Sequence, residues 1–224
     1  YTRFDKIKTF AFYSNLIHLM YIWSKIIFMT ENCYVHIPFC RSKCKYCSFV
    51  SFPRLEMKDL YLKALRKDIQ THYKSEELNT LYFGGGTPSI LTVEEFSGIL
   101  ELFNLAAECE VTTELNPETM SLEYLNKLKH AGINRISFGC QTFDDMILKN
   151  IGRRHSADCV KHAVKFAKNV GFENISLDFI YGLPEQSLKG FENDLNTAIE
   201  LGVQHISLYG LKIDEGCYFY ETCS

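Results

Sequence analysis

Three cysteines stand within eight residues, in Cys40-Arg-Ser-Lys-Cys44-Lys-Tyr-Cys47. Spacings of four and three let one loop turn three thiolates toward a single metal centre, and soft thiolates select zinc or an iron–sulfur cluster. Zinc sites of this kind are ordinarily closed by four ligands and built from paired C-x2-C knuckles. This loop has three ligands and no such pair. That donor set suits a [4Fe–4S] cluster with one iron left open for a non-protein ligand. Cys33, Cys109, Cys140, Cys159, Cys217 and Cys223 show no ligand spacing and read as free thiols, buried by default. An odd total of nine cysteines in 224 residues argues against a disulfide scaffold and for a reducing compartment such as the cytoplasm.

A second group of residues carries chemistry of another kind. Gly84-Gly85-Gly86, followed by Thr87, frees the backbone to adopt positive φ and to approach a ligand closely. A tight turn alone would need one glycine. No Gly-Lys-Ser/Thr follows, so the run is not a phosphate-binding P-loop. Glu114 and Asp178 are carboxylates suited to ligand hydroxyls or an amino group, with a rim salt bridge or a helix cap as the alternative.

The elements that must position these groups alternate along the chain. Short apolar, β-rich runs occupy 33–37, 80–83, 111–115, 135–139, 175–180 and 205–210. Helical patterns separate them. The first carries Met57, Leu60, Tyr61, Ala64, Leu65 and Ile69. The second opens on the capping box Thr92-x-x-Glu95 and turns Phe96, Ile99, Leu100 and Phe103 to one face. Ser121 caps a helix with Leu122, Leu125 and Leu128 that Gly132 closes. Val160, Ala163, Val164 and Ala167 follow Ser156. Leu188, Phe191, Leu195, Ala198 and Ile199 precede Gly202. Six strands with helices between them make a parallel sheet with helices packed outside. Spacing alone fits an open doubly wound sheet or a barrel. Polar residues end all six strands, namely His36, Gly84–Gly86, Glu114, Asn116, Gln141, Asp178 and Tyr209. One rim built from every strand favours a barrel, because an open sheet gathers its ligand groups at a single switch point. The fold class expected is α/β, a partial (β/α)6 TIM-like barrel.

Composition agrees with a globular domain: 46% hydrophobic, 14% aromatic and a net charge of −3. This excludes intrinsic disorder and a broadly basic nucleic-acid binder. Residues 9–29 are strongly apolar and follow Arg3, Lys6 and Lys8, but the run is interrupted by Ser14, Asn15, His18, Ser24 and Lys25. We read residues 1–28 as an extension upstream of a domain that starts near Met29 and runs through 29–224. A signal peptide, membrane anchor or transit segment is the alternative.

Seven segments in order make a more specific statement: YVHIPFC (34–40), YFGGGTPS (82–89), ELNPE (114–118), GINRISFGCQTF (132–143), IGRRHS (151–156), LDFIYGLP (177–184) and HISLYGL (205–211). Together with the C-x3-C-x2-C loop, they resemble the radical S-adenosylmethionine (radical SAM) superfamily. Within it they resemble the family of oxygen-independent coproporphyrinogen III dehydrogenase and its relative, the haem chaperone HemW. The resemblance implies a three-quarter barrel, a [4Fe–4S] cluster on Cys40, Cys44 and Cys47, and S-adenosylmethionine (SAM) on the open iron. Reductive cleavage of the sulfonium would yield a 5′-deoxyadenosyl radical. It also implies cofactor contacts for Tyr34, Tyr46, Gly85, Gly86, Thr87, Glu114, Gln141, Arg153 and Asp178. His36 stays structural.

The dehydrogenase branch typically adds a cysteine two residues after the third ligand. Here Ser48 and Phe49 follow Cys47, and phenylalanine there resembles the HemW branch, as does DEGCYF (214–219). The resemblance therefore implies a haem chaperone that binds haem and SAM. The alternative is an oxidase (dehydrogenase) making protoporphyrinogen IX by oxidative decarboxylation. Implied partners are haem or a porphyrin and an electron donor such as flavodoxin or ferredoxin. Membrane association is implied only for haem delivery. The family continues into a C-terminal domain with an H-N-x-x-Y-W-type motif, and this sequence stops at Ser224. A fragment or a broken copy, short of full turnover, is the expectation.

Overall fold

The structure, a computed structural model, describes residues 7–10 and 31–222. Strands β1 (Ile7–Phe10), β2 (Asn32–Ile37), β3 (Leu78–Gly85), β4 (Leu105–Leu115), β5 (Arg135–Gln141), β6 (Asn174–Tyr181) and β7 (His205–Gly210) form one sheet. Helices α1 (Lys58–His72), α2 (Val93–Leu100), α3 (Leu122–His130), α4 (Asp145–Asn150), α5 (Ala157–Asn169), α6 (Leu188–Glu200) and α7 (Tyr218–Thr222) intervene or follow. Spatial order equals chain order, and every pairing is parallel. The order never reverses, so there is no switch point. This is the winding of a partial barrel, and the doubly wound alternative falls.

Strand alternation divides the molecule in two. Val35, Ile37, Leu81, Phe83, Val111, Leu115, Ile136, Phe138, Ile175, Leu177 and Phe179 are buried outward, under the helices. The opposite face carries Tyr34, His36, Tyr82, Thr112, Glu114, Ser137, Ser176 and Asp178. A closed TIM barrel fills its interior with branched apolar side chains. This one lines it with polar groups, so the interior is a site rather than a core.

Several details depart from the sequence pattern. The edge strand β1 makes a seventh strand, pairing Ile7–Phe10 with Asn32–Val35, inside the segment read as an extension. The apolar run that follows lies outside the described residues. Among the described residues, no helix is long and apolar enough to cross a membrane. Helix α2 ends at Leu100, and Phe103 is buried from the turn beyond it. In α1, Leu62 is buried where Leu60 was expected. In α6 the expected face keeps Phe191, Leu195 and Ala198 toward the core, while Leu188 and Ile199 at its ends are exposed. The same face carries a buried carboxylate, Asp194, which accepts hydrogen bonds from the Phe143 N–H (2.7 Å) and the Thr142 hydroxyl (2.8 Å). Short helices α4 and α7 carry too few turns for a periodic signal.

Candidate cofactor site

The cysteine loop leaves β2 and is pinched at its base. Phe52 N–H donates to the Pro38 carbonyl (2.8 Å) and Cys40 N–H to the Phe52 carbonyl (3.2 Å). Within the loop, Cys47 N–H returns to the Cys44 carbonyl (3.1 Å), and Lys45 N–H reaches the Ile151 carbonyl past α4 (3.0 Å). The His36 ring bridges Tyr34 Oη (3.1 Å) and the Val50 carbonyl (2.9 Å), joining the strand to the far limb of the loop. On the other side, the segment after β7 lies along the loop like a strap. Ser48 Oγ donates to Asp214 Oδ2 (3.2 Å), Lys43 Nζ to the Gly216 carbonyl (3.4 Å) and Phe219 N–H to the Lys45 carbonyl (3.0 Å).

Cys40, Cys44 and Cys47 are free and half-buried, and all three line one cavity of about 590 Å³. Burial pushes the Cys47 thiol up, with Cys44 and Cys40 adding to the effect. A metal centre would supply the charge that ionises it. Among the described residues, no three His, Cys, Asp or Glu side chains converge closely enough to hold a single ion. Three thiols on one cavity wall are the donor set of a cluster that keeps one iron open.

Each of the three glycines is demanded by a neighbour. A Cβ on Gly84 would stand 2.9 Å from both the Tyr34 and Tyr82 rings, and one on Gly86 would stand 2.6 Å from the Phe39 carbonyl oxygen. Gly85 holds φ +116°, and a Cβ there would meet the His36 ring at 2.7 Å. Two amides of the run are already engaged: Gly85 N–H donates to Glu114 (3.3 Å) and Gly86 N–H to the Ile37 carbonyl (2.9 Å). These glycines therefore offer a ligand backbone surface rather than free donors.

Glu114 ends β4 facing the barrel interior. Burial pushes its carboxyl up to about 7, the Asp178 charge adds to this, and hydrogen bonds from Tyr82 Oη (2.9 Å) and Gly85 N–H only partly offset it. Asp178, on β6, is likewise raised by burial and accepts from Ser137 Oγ at 2.9 Å. Gln141 is buried at φ +69°, just after a register shift at Gly139, a backbone cost that sites tend to bear. Arg153 threads between elements. Its Nη2 donates to the Gly139 carbonyl (2.8 Å) and to Asn116 Oδ1 (3.4 Å), and its Nη1 to Cys44 Sγ (3.6 Å).

Tyr46, Gly85, Gly86, Thr87, Glu114, Gln141, Arg153 and Asp178 all line the cavity with the cysteines. Thr87 Oγ1 lies 3.3 Å from Cys40 Sγ. Tyr34 does not line the cavity; it stacks on Tyr82 at 5.9 Å, one layer below. Gly139, Asn116 and Asp214 also line it and were not among the candidates. Asn116 and its position at a strand end were readable; Asp214 is brought in only by the strap.

Residues 34–198 match the radical SAM superfamily. The chain is 41% identical over 200 residues to the haem chaperone HemW of Bacillus subtilis, covering 85% of this chain and 53% of that protein. It is 38% identical to HemW of Escherichia coli, covering 83% and 52%. The chain thus spans about half the length of the curated relatives it matches. The structure of coproporphyrinogen III oxidase (HemN) from Escherichia coli, a radical SAM enzyme, superposes with a TM-score of 0.74 at 28% identity, covering 84% of this chain and 50% of that one. Superfamily members hold a [4Fe–4S] cluster and SAM, and the three-thiol loop, the polar interior and the matched span are all present here. The chain belongs to the radical SAM superfamily.

Proposed function

We propose that this chain is the radical SAM core of a haem-handling protein of the HemW type, acting in the cytoplasm with haem as its ligand. Cys40, Cys44 and Cys47 would hold the cluster. Glu114, Asp178, Gln141 and Arg153, with the Gly85–Thr87 backbone and Tyr46, would hold SAM, while Tyr34 would act from behind through His36 and Tyr82. With the Gly85 and Gly86 amides engaged, the ligand amino group is better served than its carboxylate at the glycine end. When bound, the cluster and SAM supply reductive formation of a 5′-deoxyadenosyl radical. The protein's own part is to bind and orient that cofactor in a cavity walled by strands.

The observation that carries the HemW reading is Phe49. It stands two residues after Cys47, is 69% exposed, and lines the cavity where the dehydrogenase branch places a fourth thiol. An aromatic face at that mouth offers an apolar surface to a flat macrocycle. Identities of 34–41% to proteins named haem chaperone HemW support the same reading. The test is anaerobic incubation of the reconstituted protein with haem, and separately with SAM, reductant and coproporphyrinogen III. Stable haem binding with coproporphyrinogen left intact is expected. Catalytic accumulation of protoporphyrinogen IX would restore the dehydrogenase alternative.

A further inference from the structure

Arg153 is half-buried beside the cysteine loop, and its Nε is buried without a hydrogen-bond partner. Among the described residues, no carboxylate forms an ion pair with it; the neighbouring Arg154 takes Glu118 instead, at 3.2 Å. What Arg153 does touch is neutral oxygen on one side, Gly139 O and Asn116 Oδ1, and a ligand sulfur on the other, Cys44 Sγ at 3.6 Å. Tyr46 lies beside both Cys44 and Arg153, closing a triangle. A cation partly withdrawn from water without a counter-ion is costly, and such groups persist where an anion completes them. Gly139 belongs to the same arrangement, since a Cβ there would stand 2.9 Å from Gln141 Nε2 and 3.3 Å from Arg153 Nη2. The close approach is thus built into β5.

We infer that Arg153 is the counter-charge of the iron–sulfur cluster, donating to the Cys44 ligand sulfur and favouring the reduced state. This rests on the reading of Cys40, Cys44 and Cys47 as cluster ligands. A cubane held by three thiolates is anionic and gains one further negative charge on reduction. A fixed cation beside a ligand sulfur, in a poorly solvated site, therefore favours the added electron, and hydrogen bonds to ligand sulfur act in the same direction on potential. The SAM contact proposed above is a separate role: this one is present before any ligand arrives.

The test compares reconstituted wild type, R153M and R153K. Iron content is measured first, then the cluster midpoint by redox titration followed by electron paramagnetic resonance, without SAM. R153M is expected to be reduced tenfold less readily, a midpoint about 59 mV more negative for one electron. R153K, which keeps the charge without the fork, should recover most of that shift. An unchanged midpoint in R153M would overturn the inference, and lost SAM affinity with it would assign Arg153 to the ligand alone. If R153M retains no iron, R153K decides: iron held at a midpoint near wild type supports the counter-charge, and iron lost there too refutes it. Absence of iron–sulfur absorbance in wild type would instead sink the cluster reading itself.

Discussion

Glu114→Gln separates the electrostatics of the barrel interior from its shape. In the folded chain burial lifts the Glu114 carboxyl from 4.5 to about 7. The folded state therefore keeps a proton that the unfolded chain has released, so stability is highest below about pH 4.5 and declines until about pH 7. A displacement of that size is worth about 3 kcal/mol at most. Glutamine is neutral at every pH and so removes the slope. It also leaves one of two contacts, with Tyr82 Oη or Gly85 N–H, badly matched, at about 1 kcal/mol. Asp178 titrates in the same direction and feels the Glu114 charge, so the difference between the two proteins reports the coupled pair. Urea unfolding of the metal-free proteins at pH 5 and pH 8 measures it. Wild type should lose about 2–3 kcal/mol more than E114Q between those conditions. Binding should respond oppositely. A cationic amino group needs the ionised carboxylate, so SAM affinity in wild type should fall roughly tenfold per pH unit below 7. In E114Q it should be roughly ten- to a hundredfold weaker and flat. Identical pH slopes of stability in the two proteins, together with unchanged SAM affinity in E114Q, would refute this account of the site.

Cys44→Ala should abolish iron–sulfur absorbance after anaerobic reconstitution, because two thiolates do not retain the cluster; one tightly held zinc per wild-type chain with no iron would contradict the donor assignment. Gly86→Ala places a Cβ 2.6 Å from the Phe39 carbonyl oxygen, against backbone that cannot swing aside. It should cost about 1–3 kcal/mol in urea unfolding and lower iron retention, since Phe39 is the base of the cysteine loop. Thr92→Ala removes a reciprocal capping box with Glu95 and should cost about 1 kcal/mol, read as a fall in Tm of about 2–4 °C with cluster content unchanged.

The parts of the site that were legible from sequence were local ones. Cys40, Cys44 and Cys47 lie on one loop, and the helix caps at Thr92, Ser121 and Ser156 each need only three residues of context. The barrel was legible because polar residues end every strand. What escaped was set by contacts across the chain. Asp194 ties α6 to Thr142 and Phe143, a buried polar contact that the apolar periodicity of the helix does not reveal. Gly139 reads as an ordinary strand residue, and only the fold packs Gln141 and Arg153 over it. The glycine run was readable as a special backbone, but the engagement of two of its amides by Glu114 and Ile37 depends on neighbouring strands. Arg153 could be placed at the site by motif, yet its partner Cys44, 109 residues away, could not.

The strap has a consequence for how the protein is made. Chains emerge N-terminal end first and fold in that order, and here each strand pairs with its predecessor, so the barrel is laid down turn by turn as it leaves the ribosome. The cysteine loop is among the earliest pieces to appear. The groups that fasten it, Asp214 on Ser48 and Gly216 on Lys43, come 166 and 173 residues later. Until residues 214–216 emerge, the thiols are therefore accessible to a metal-delivery machinery, and the strap then closes behind the metal. Loading during synthesis and loading after release are different problems for this chain, because only the second requires the strap to be lifted.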